Sequence, residues 1–526
     1  MNGFETIVMT GNDLQSEIKK VVGMKKRAVY SSIRDFMLNT GDHYVGVLYG
    51  LRRTGKTTLL RQLVGELCGL GYSDHTALLL LSSQVDMDAV LRDLQILKER
   101  GCRFVLVDEI TEVKGFSDGC ALLSDYFSGE DMRILLSGTN SLLFSLVTKH
   151  ELYDRAKLFY TTFVPYAEYM RLHPSASLDD FLKRSGVASP PNMSPFATEK
   201  TALEYIDSAI AKNINYSLER YRGGEYFASL HELYANDLLV GVINKIVNRP
   251  DHSFLRRDFA QEFSSDSYGA AKSNLNRRNR GTGLKPLDLL LDSKSINESH
   301  AVFLGVDKLS GKELHVTETQ LKALRHHLLE LGVIKEFYHF VDGAADLPVP
   351  EIVFTQPGLR YSVANSAQHS VDAEIQLKRM DLSAWGNITK EIENNILGRI
   401  LEDAILLESM AMAKYVWGDI TERTPFVSRY NRIDGDTKKE VDTVILNPTD
   451  CSCTLIEVKH SEAYVPDRQC KWLTDKLIED DIREHYNPAS FKRLLVYAGD
   501  SRTCEELNIE YVNAGEFLSN LGSYIF

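Results

Sequence analysis

One stretch constrains this chain more than any other: Tyr44-Val-Gly-Val-Leu-Tyr49, then Gly50-Leu-Arg-Arg-Thr-Gly55-Lys56-Thr57, then Leu59, Leu60, Leu63, Val64 and Leu67 at helical spacing. An apolar run of strand length, a glycine loop and an amphipathic helix, in that order, make a P-loop, the unit that holds phosphate. Glycines let successive backbone N–H groups curl around phosphate oxygens, and the helix N-terminus adds its dipole. A lysine neutralises the β/γ charge and a hydroxyl reaches magnesium. The spacing therefore predicts a site for ATP with Mg2+, with Gly50, Arg53, Thr54, Gly55, Lys56, Thr57 and Thr58 as its cradle. A glycine-rich turn with a surface lysine would satisfy the motif, but not the strand and helix around it.

Arg103-Phe-Val-Leu-Val-Asp108-Glu109 is a second apolar run, ending in two carboxylates. In P-loop chemistry the first, Asp108, orients magnesium, and the second, Glu109, takes a proton from the attacking water. The alternative is a strand end capped by solvated acids. Met132-Arg-Ile-Leu-Leu-Ser137-Gly-Thr139-Asn140 is a further buried-strand pattern. One of Ser137, Thr139 and Asn140 would lie beside Glu109 and sense the γ-phosphate, and Asn140 joins the nucleotide-binding candidates. Strand patterns at 76–82 and 158–164 bring the total to about five strands alternating with helices, a parallel sheet covered on both faces with its ligand at the strand C-ends. Arg155, just before the last strand, is a candidate arginine finger for its own or a neighbouring subunit; otherwise it is a surface arginine paired with Asp154.

The chain has 526 residues, and at roughly 100–200 residues per domain this predicts about three domains. The patterns divide it into residues 1–170, 171–250, 251–375 and 376–526. A net charge of -13 argues against a surface built throughout to attract nucleic acid and leaves room only for a local basic stripe. The 7 Cys include no C-x-x-C pair, which speaks against a zinc site or disulfide framework and fits the reduced thiols of a cytoplasm. The N-terminus lacks a basic leader with an apolar core, and no apolar run approaches the roughly 18 residues that span a bilayer, so a soluble, unprocessed chain is expected.

After a Pro/Ser-rich break at 188–195, helical patterns over Thr201 to Ala211 and Leu230 to Val247 predict a helical lid or connector. Helix candidates at Phe254 to Phe263 and Tyr268 to Arg280, a later helix at Glu318 to Leu331, and strands at Val333 to Phe340 and Glu351 to Phe354 suit a winged helix with an insertion at 281–315. Lys272, Arg277, Arg278 and Arg280 would grip DNA phosphates, or else form a solvated face or contact another part of this acidic chain.

The C-terminal region carries Glu402 in a helix over Lys390 to Ala413, then Lys439-Glu-Val-Asp442, then Glu457-Val-Lys459. Asp434-Gly435 marks one hairpin turn and Asn447-Pro-Thr-Asp450 another, giving an antiparallel meander. A second turn centred between Thr449 and Asp450 sets Asp442 opposite Glu457, and alternation sends Glu457 and Lys459 to the same side. Two carboxylates, Asp442 and Glu457, would bind magnesium and a lysine, Lys459, would support the nucleophile or the developing charge, with Glu402 as a third carboxylate. An ordinary half-exposed strand also alternates in this way. No Ser/His or Cys/His pair is indicated.

The order Leu51-Arg-Arg-Thr-Gly-Lys-Thr57, Val107-Asp-Glu109, Leu135-Leu-Ser-Gly-Thr-Asn140 and Phe163-Val-Pro-Tyr-Ala-Glu168-Tyr resembles a large prokaryotic family of AAA-type ATPases. The resemblance implies an α/β multidomain protein: the ATPase, a helical and winged-helix middle, and a C-terminal domain with the core of restriction-endonuclease-like PD-(D/E)xK enzymes. It covers most of the chain and is carried chiefly by 45–170 and 390–470. Family members usually show Gly-Arg where this chain has Asp154-Arg155. By the same resemblance Gln469 falls at an accessory nuclease position, and a homo-oligomer is allowed. Two functions follow as expectations: an ATP-driven or ATP-gated DNA-processing enzyme with a magnesium-dependent nuclease domain, or a nucleotide-controlled switch whose C-terminal domain binds without cutting.

Overall fold

The computed structural model describes residues 3–39, 45–127, 132–140, 143–144, 152, 155–215, 225–248, 266–278, 280, 292–307, 316–338, 340, 350–378, 382–418, 426–434 and 437–525. The expected helix Phe254 to Phe263, much of the insertion at 281–315, and Asp154 lie outside these residues. Among the described residues no helix is long and apolar enough to cross a membrane.

The N-terminal sheet contains β1 (Ile7–Thr10), β2 (Val45–Tyr49), β3 (Thr76–Leu80), β4 (Phe104–Asp108), β5 (Arg133–Gly138) and β6 (Ala156–Tyr160), in the order β1-β3-β4-β5-β2-β6. All neighbours are parallel except β1, which runs antiparallel to β3 along the edge. Alternate residues feed two cores. Val105, Val107, Ile134 and Leu136 join one, and Phe104, Leu106 and Leu135 join the other with Leu59, Leu63 and Leu67 of the helix Lys56–Gly69. Burial on both faces is why these strands read as near-continuous apolar runs. β6 ends at Tyr160, short of the expected 164, because Thr161 and Thr162 turn away to bond the loop after β2. β1 gave no sequence signal, being short and only partly buried.

The middle is mostly helical. The expected helix at Thr201 to Ala211 is Glu199–Tyr205 continued by a π-type turn over Ile206–Ala211. The run expected as one helix from Leu230 to Val247 is two, Glu225–Ala235 and Leu239–Asn248. Asp237 adopts φ 58° and Leu238 N–H reaches back to Leu233 O, a helix-ending motif with aspartate where glycine is usual, so the apolar period runs through the break unmarked. The helices Asp266–Arg278, Ser293–Phe303 and Glu318–Glu330 follow, then β7 (Ile334–Phe337) antiparallel to β8 (Glu351–Phe354). One apolar cluster unites Leu51 of the P-loop with Tyr205, Ile206, Leu331, Val333 and Phe354, so the middle packs directly on the loop.

The C-terminal part opens with the helix Leu382–Trp417, 36 residues long and containing the expected span. Six strands follow: β9 (Val427–Asp434), β10 (Thr437–Asn447), β11 (Ser452–Lys459), β12 (Ser490–Tyr497), β13 (Arg502–Cys504) and β14 (Ile509–Asn513), in the order β13-β14-β12-β11-β10-β9. β9, β10 and β11 form the expected antiparallel meander, whereas β11, β12 and β14 run parallel. Ile456, Val458, Leu494 and Val496 pack on Ile396, Ile400 and Leu401 of the long helix, while Leu455, Leu495 and Tyr511 on the opposite face pack on Ile478 and Ile482.

Candidate functional site

The chain turns sharply after β2 at Gly50, where φ is 151° and a Cβ would lie 2.2 Å from Thr161 Oγ1, so no side chain fits. Arg53 at φ 63° holds a left-handed conformation that is strained for a residue with a side chain, a kind of strain found at ligand sites. Every carbonyl from Gly50 to Thr54 has a donor, and those of Arg52, Arg53 and Thr54 have theirs behind the loop. Lys56 Nζ donates to Gly50 O and Leu51 O, both at 2.8 Å. Tyr205 OH donates to Arg52 O at 3.1 Å, the Ala188 N–H to Arg53 O at 2.8 Å, and Arg27 Nη1 to Thr54 O at 2.7 Å. In a trans peptide the following N–H points opposite the carbonyl. The carbonyls of Arg52, Arg53 and Thr54, drawn outward, therefore turn the following amides inward, as an anion nest requires.

In front of the loop lies a cavity of about 380 Å³ lined by Gly55, Lys56, Thr57, Thr58, Glu109 and Thr139, among others. The order β4-β5-β2 brings these groups together, because it sets the C-ends of three parallel strands side by side. Ser137 Oγ donates to Asp108 Oδ1 at 2.7 Å, and Thr139 donates to Glu109 Oε2 from its N–H at 3.1 Å and its hydroxyl at 3.0 Å. Glu109 itself sits at φ 61°. Burial pushes its carboxyl above the usual range, against the pull of Lys56; burial also draws the Lys56 ammonium down to about 8, against Glu109 and Asp108. An amide nest, a buried ammonium, the Thr57 hydroxyl and two carboxylates form a donor set that fits a nucleoside triphosphate with magnesium.

Thr139 is thus the polar residue beside Glu109. Asn140 instead turns Oδ1 to the Leu143 N–H at 3.1 Å and lines an adjoining cavity of about 220 Å³ with Ser208, Lys212 and Asn213. Asn213 Nδ2 donates to Thr139 O at 2.8 Å, which connects the middle region to the acid pair. Arg155 requires a correction. Its carbonyl accepts from the Val45 N–H at the start of β2, so it lies at the N-terminal edge of the sheet, roughly 15 Å of strand from the P-loop. There Nη1 pairs with Asp125 at 2.6 Å, and within one chain it does not reach the loop.

In the C-terminal sheet β10 and β11 pair from Asn447↔Ser452 to Thr443↔Ile456, a register whose next step sets Asp442 against Glu457. A bulge between Val441 and Val444 bends β10 at this point, as bulges near sites do. Asp442 Oδ2 accepts from the Val458 N–H at 2.8 Å, and Lys459 Nζ donates to Glu457 Oε1 at 2.6 Å and stands 3.9 Å from Asp442 Oδ2. Glu402, on the long helix, feels the charges of Asp442, Arg429 and Lys459. Burial pushes the carboxyls of Glu402, Asp442 and Glu457 up, and the charge on Asp442 raises Glu402 and Glu457 further. Burial alone would lower Lys459, but Asp442 and Glu457 raise it. Glu457 Oε2 is buried and, among the described residues, has no hydrogen-bond partner.

Among the described residues no group of three or more His, Cys, Asp or Glu is gathered to hold a metal. Magnesium needs only one or two carboxylates, and Asp442 with the open oxygen of Glu457 fits that requirement. Gln469 is occupied by the local chain: Oε1 accepts from the Val465 N–H at 2.8 Å and Nε2 donates to Ala463 O at 2.7 Å. The basic helix lies along the long helix. Arg278 pairs with the buried Glu391 at 2.6 Å, Lys272 bonds Ser293, and Arg277 and Arg280 are exposed. Sequence patterns did not single out Arg27, Asn213 or Arg429. Arg429, buried on β9, donates to Asp403 Oδ1 at 2.7 Å, and its charge acts on Glu402 and Asp442.

Residues 42–170 match the model of a family described as an AAA domain. The P-loop, the acid pair and β5 with its polar end all fall inside that match. No curated protein sequence matches the chain. Among solved structures it is similar to Caenorhabditis elegans PCH-2 at 14% identity and a TM-score of 0.24, over 47% of this chain and 70% of that one. It is similar to Aeropyrum pernix ORC1, solved in complex with DNA, at 14% identity and 0.22, over 69% and 93%. To VC1899 of Vibrio cholerae the figures are 12% and 0.17, over 95% of each chain. Likenesses this low carry no argument about function.

Proposed function

We propose that this chain binds and hydrolyses ATP at the P-loop and uses that cycle to drive or gate a magnesium-dependent, phosphodiester-cleaving site at Asp442, Glu457 and Lys459, with DNA as the substrate class. The observation that carries the first half is the convergence of inward-turned loop amides, Lys56, Thr57 and Glu109 on one cavity, with Asp108 next to Glu109 at the end of β4. Lys56 leaves its two loop carbonyls to meet phosphate oxygens. Thr57 and Asp108 hold magnesium, which when bound neutralises phosphate charge. Glu109, fixed by Thr139 and made more basic by burial, takes the proton from the attacking water.

The second half rests on the register of Asp442 with Glu457 and on the unpartnered Glu457 Oε2. We read residues 376–526 as restriction-endonuclease-like and residues 251–375 as winged-helix-like. Asp442 and Glu457 hold magnesium, which when bound lowers the pKa of water and clamps the scissile phosphate. Lys459 supports the developing charge, and Glu402 is held ready as a further carboxylate. Coupling is supported by direct contacts: Glu408 of the long helix accepts from the Tyr166 N–H at 2.6 Å, and His460, next to Lys459, pairs with Asp179 at 3.2 Å. A homo-oligomer would give the exposed Arg155 a neighbour's nucleotide to reach, and the seven free thiols suit a cytoplasmic setting.

A second reading, a nucleotide-controlled switch that binds without cutting, is favoured by the basic helix, which commits Arg278 and Lys272 inside the chain. Magnesium-dependent cleavage of single- and double-stranded DNA, with and without ATP, decides between them when run beside Glu457→Ala and Lys56→Ala. Cleavage that is lost in Glu457→Ala and altered in Lys56→Ala supports the coupled enzyme. No cleavage on any substrate, with ATP hydrolysis intact, supports the switch.

A further inference from the structure

Arg27 lies in a basic run, Lys25-Lys26-Arg27, that reads as solvated surface, yet it is buried to 7% exposure behind the P-loop. A guanidinium has five N–H donors, and each of Arg27's has an acceptor. Nε donates to Glu168 Oε1 at 2.6 Å, and Nη2 donates to Glu168 Oε2 at 3.4 Å and to Phe163 O at 2.9 Å. Nη1 donates to Thr54 O at 2.7 Å and to Thr161 O at 3.1 Å. Glu168 in turn accepts from the Ala28 N–H at 2.7 Å, which closes the cluster from the other side.

We propose that Arg27, held by Glu168, is a positioning residue for nucleotide: it sets the direction of the Thr54–Gly55 peptide and so aims the Gly55 amide at phosphate. Among the described residues, the carbonyl of Thr54 is the only one from Gly50 to Thr54 held by a group from before the sheet's P-loop strand. The peptide it belongs to leads into Gly55, at φ 93°, a conformation that leaves the loop free to take other shapes once the tether is cut. Glu168 acts through Arg27. Its fork fixes the guanidinium plane, so that Nη1 faces the loop and the exit of β6 together. Lysine at 27 would keep the charge but has three donors on one atom and cannot span acceptors from Thr54, Thr161, Phe163 and Glu168.

The inference rests on the ATP-binding reading and has a readout independent of it. Calorimetric titration with ATP and magnesium is run on wild type, R27K and the apolar pair R27M/E168M, with thermal unfolding and backbone hydrogen exchange measured without nucleotide. Replacing both members of a buried ion pair by apolar residues tends to preserve stability, which separates positioning from folding. The expected result is a folded R27M/E168M and a folded R27K that each bind ATP at least tenfold more weakly than wild type, with faster exchange over residues 50–58. A folded variant of either kind that binds ATP within twofold of wild type overturns the proposal. Should R27M/E168M fail to fold, R27K decides. If wild type itself binds no ATP, the functional reading falls, and unchanged exchange over 50–58 in R27K overturns this inference separately.

Discussion

Thr139 gives both of its donors to one atom, since its backbone N–H and its hydroxyl each bond Glu109 Oε2, at 3.1 and 3.0 Å. A carboxylate held at one oxygen from two directions has its rotamer fixed and its other oxygen left to act on water. Thr139→Val removes the hydroxyl bond and keeps the backbone one. A net hydrogen bond is worth about 1 kcal/mol, so ATP turnover should fall roughly fivefold while ATP affinity changes by less than about twofold. Steady-state turnover beside calorimetric binding measures both. Equal losses in turnover and affinity would mean that Thr139 shapes the pocket rather than the base.

Gly50→Ala tests the turn into the loop. The added Cβ meets Thr161 Oγ1 at 2.2 Å and Thr162 N at 3.0 Å, on a backbone at φ 151° that a side chain rarely adopts. Strained conformations of this kind cost on the order of 1–3 kcal/mol, and the loop has to move to relieve the clash. A fall in melting temperature together with loss of ATP binding is expected. Wild-type binding in Gly50→Ala would show that the turn tolerates a side chain.

Glu408 gives the pH dependence a sign. Burial pushes its carboxyl from the ordinary 4.5 up to about 8, against the pull of the Tyr166 N–H. The folded state holds the proton more tightly than the unfolded one, so this group's contribution is full below the unfolded value near 4.5 and is lost as pH rises through 8. Glu408→Gln keeps the acceptor and removes the titration. Chemical denaturation at pH 5 and pH 8.5 should show wild type losing more stability than the variant, by on the order of a few kcal/mol at most. Parallel pH profiles would place the Glu408 pKa near its ordinary value.

The P-loop was legible because its residues are contiguous and its flanking strand and helix have different periods. The gathering of Asp442 and Glu457 around Lys459 was legible because a strand alternates with period two and a turn fixes the register. Arg27 was not, since its charge looks solvated and its carboxylate partner lies 141 residues away. Asp237 hid a helix end because aspartate stands where glycine would have announced it. Arg155 does not reach its own chain's nucleotide site for a simpler reason. A residue just before a parallel strand lies at its N-terminal end, away from the edge where ligand binds.

The C-terminal acids predict a clean separation of activities. Asp442→Asn should abolish magnesium-dependent cleavage, by a hundredfold or more on the scale of lost metal-ion catalysis, and leave ATP turnover within about twofold. Chelation of magnesium should stop cleavage in wild type, and restoring the ion should recover it. Cleavage that persists in Asp442→Asn would move the chemistry away from β10 and β11.

The most direct measurement is ATP hydrolysis by wild type and by Glu109→Gln, with ATP binding followed in the same preparations. Binding retained in Glu109→Gln, with turnover lowered by roughly a hundredfold or more, is the expected result, because only proton removal from water has been taken away. Turnover equal to wild type in a variant that still binds ATP would contradict the assignment of Glu109 as the base and of this cavity as a hydrolytic site.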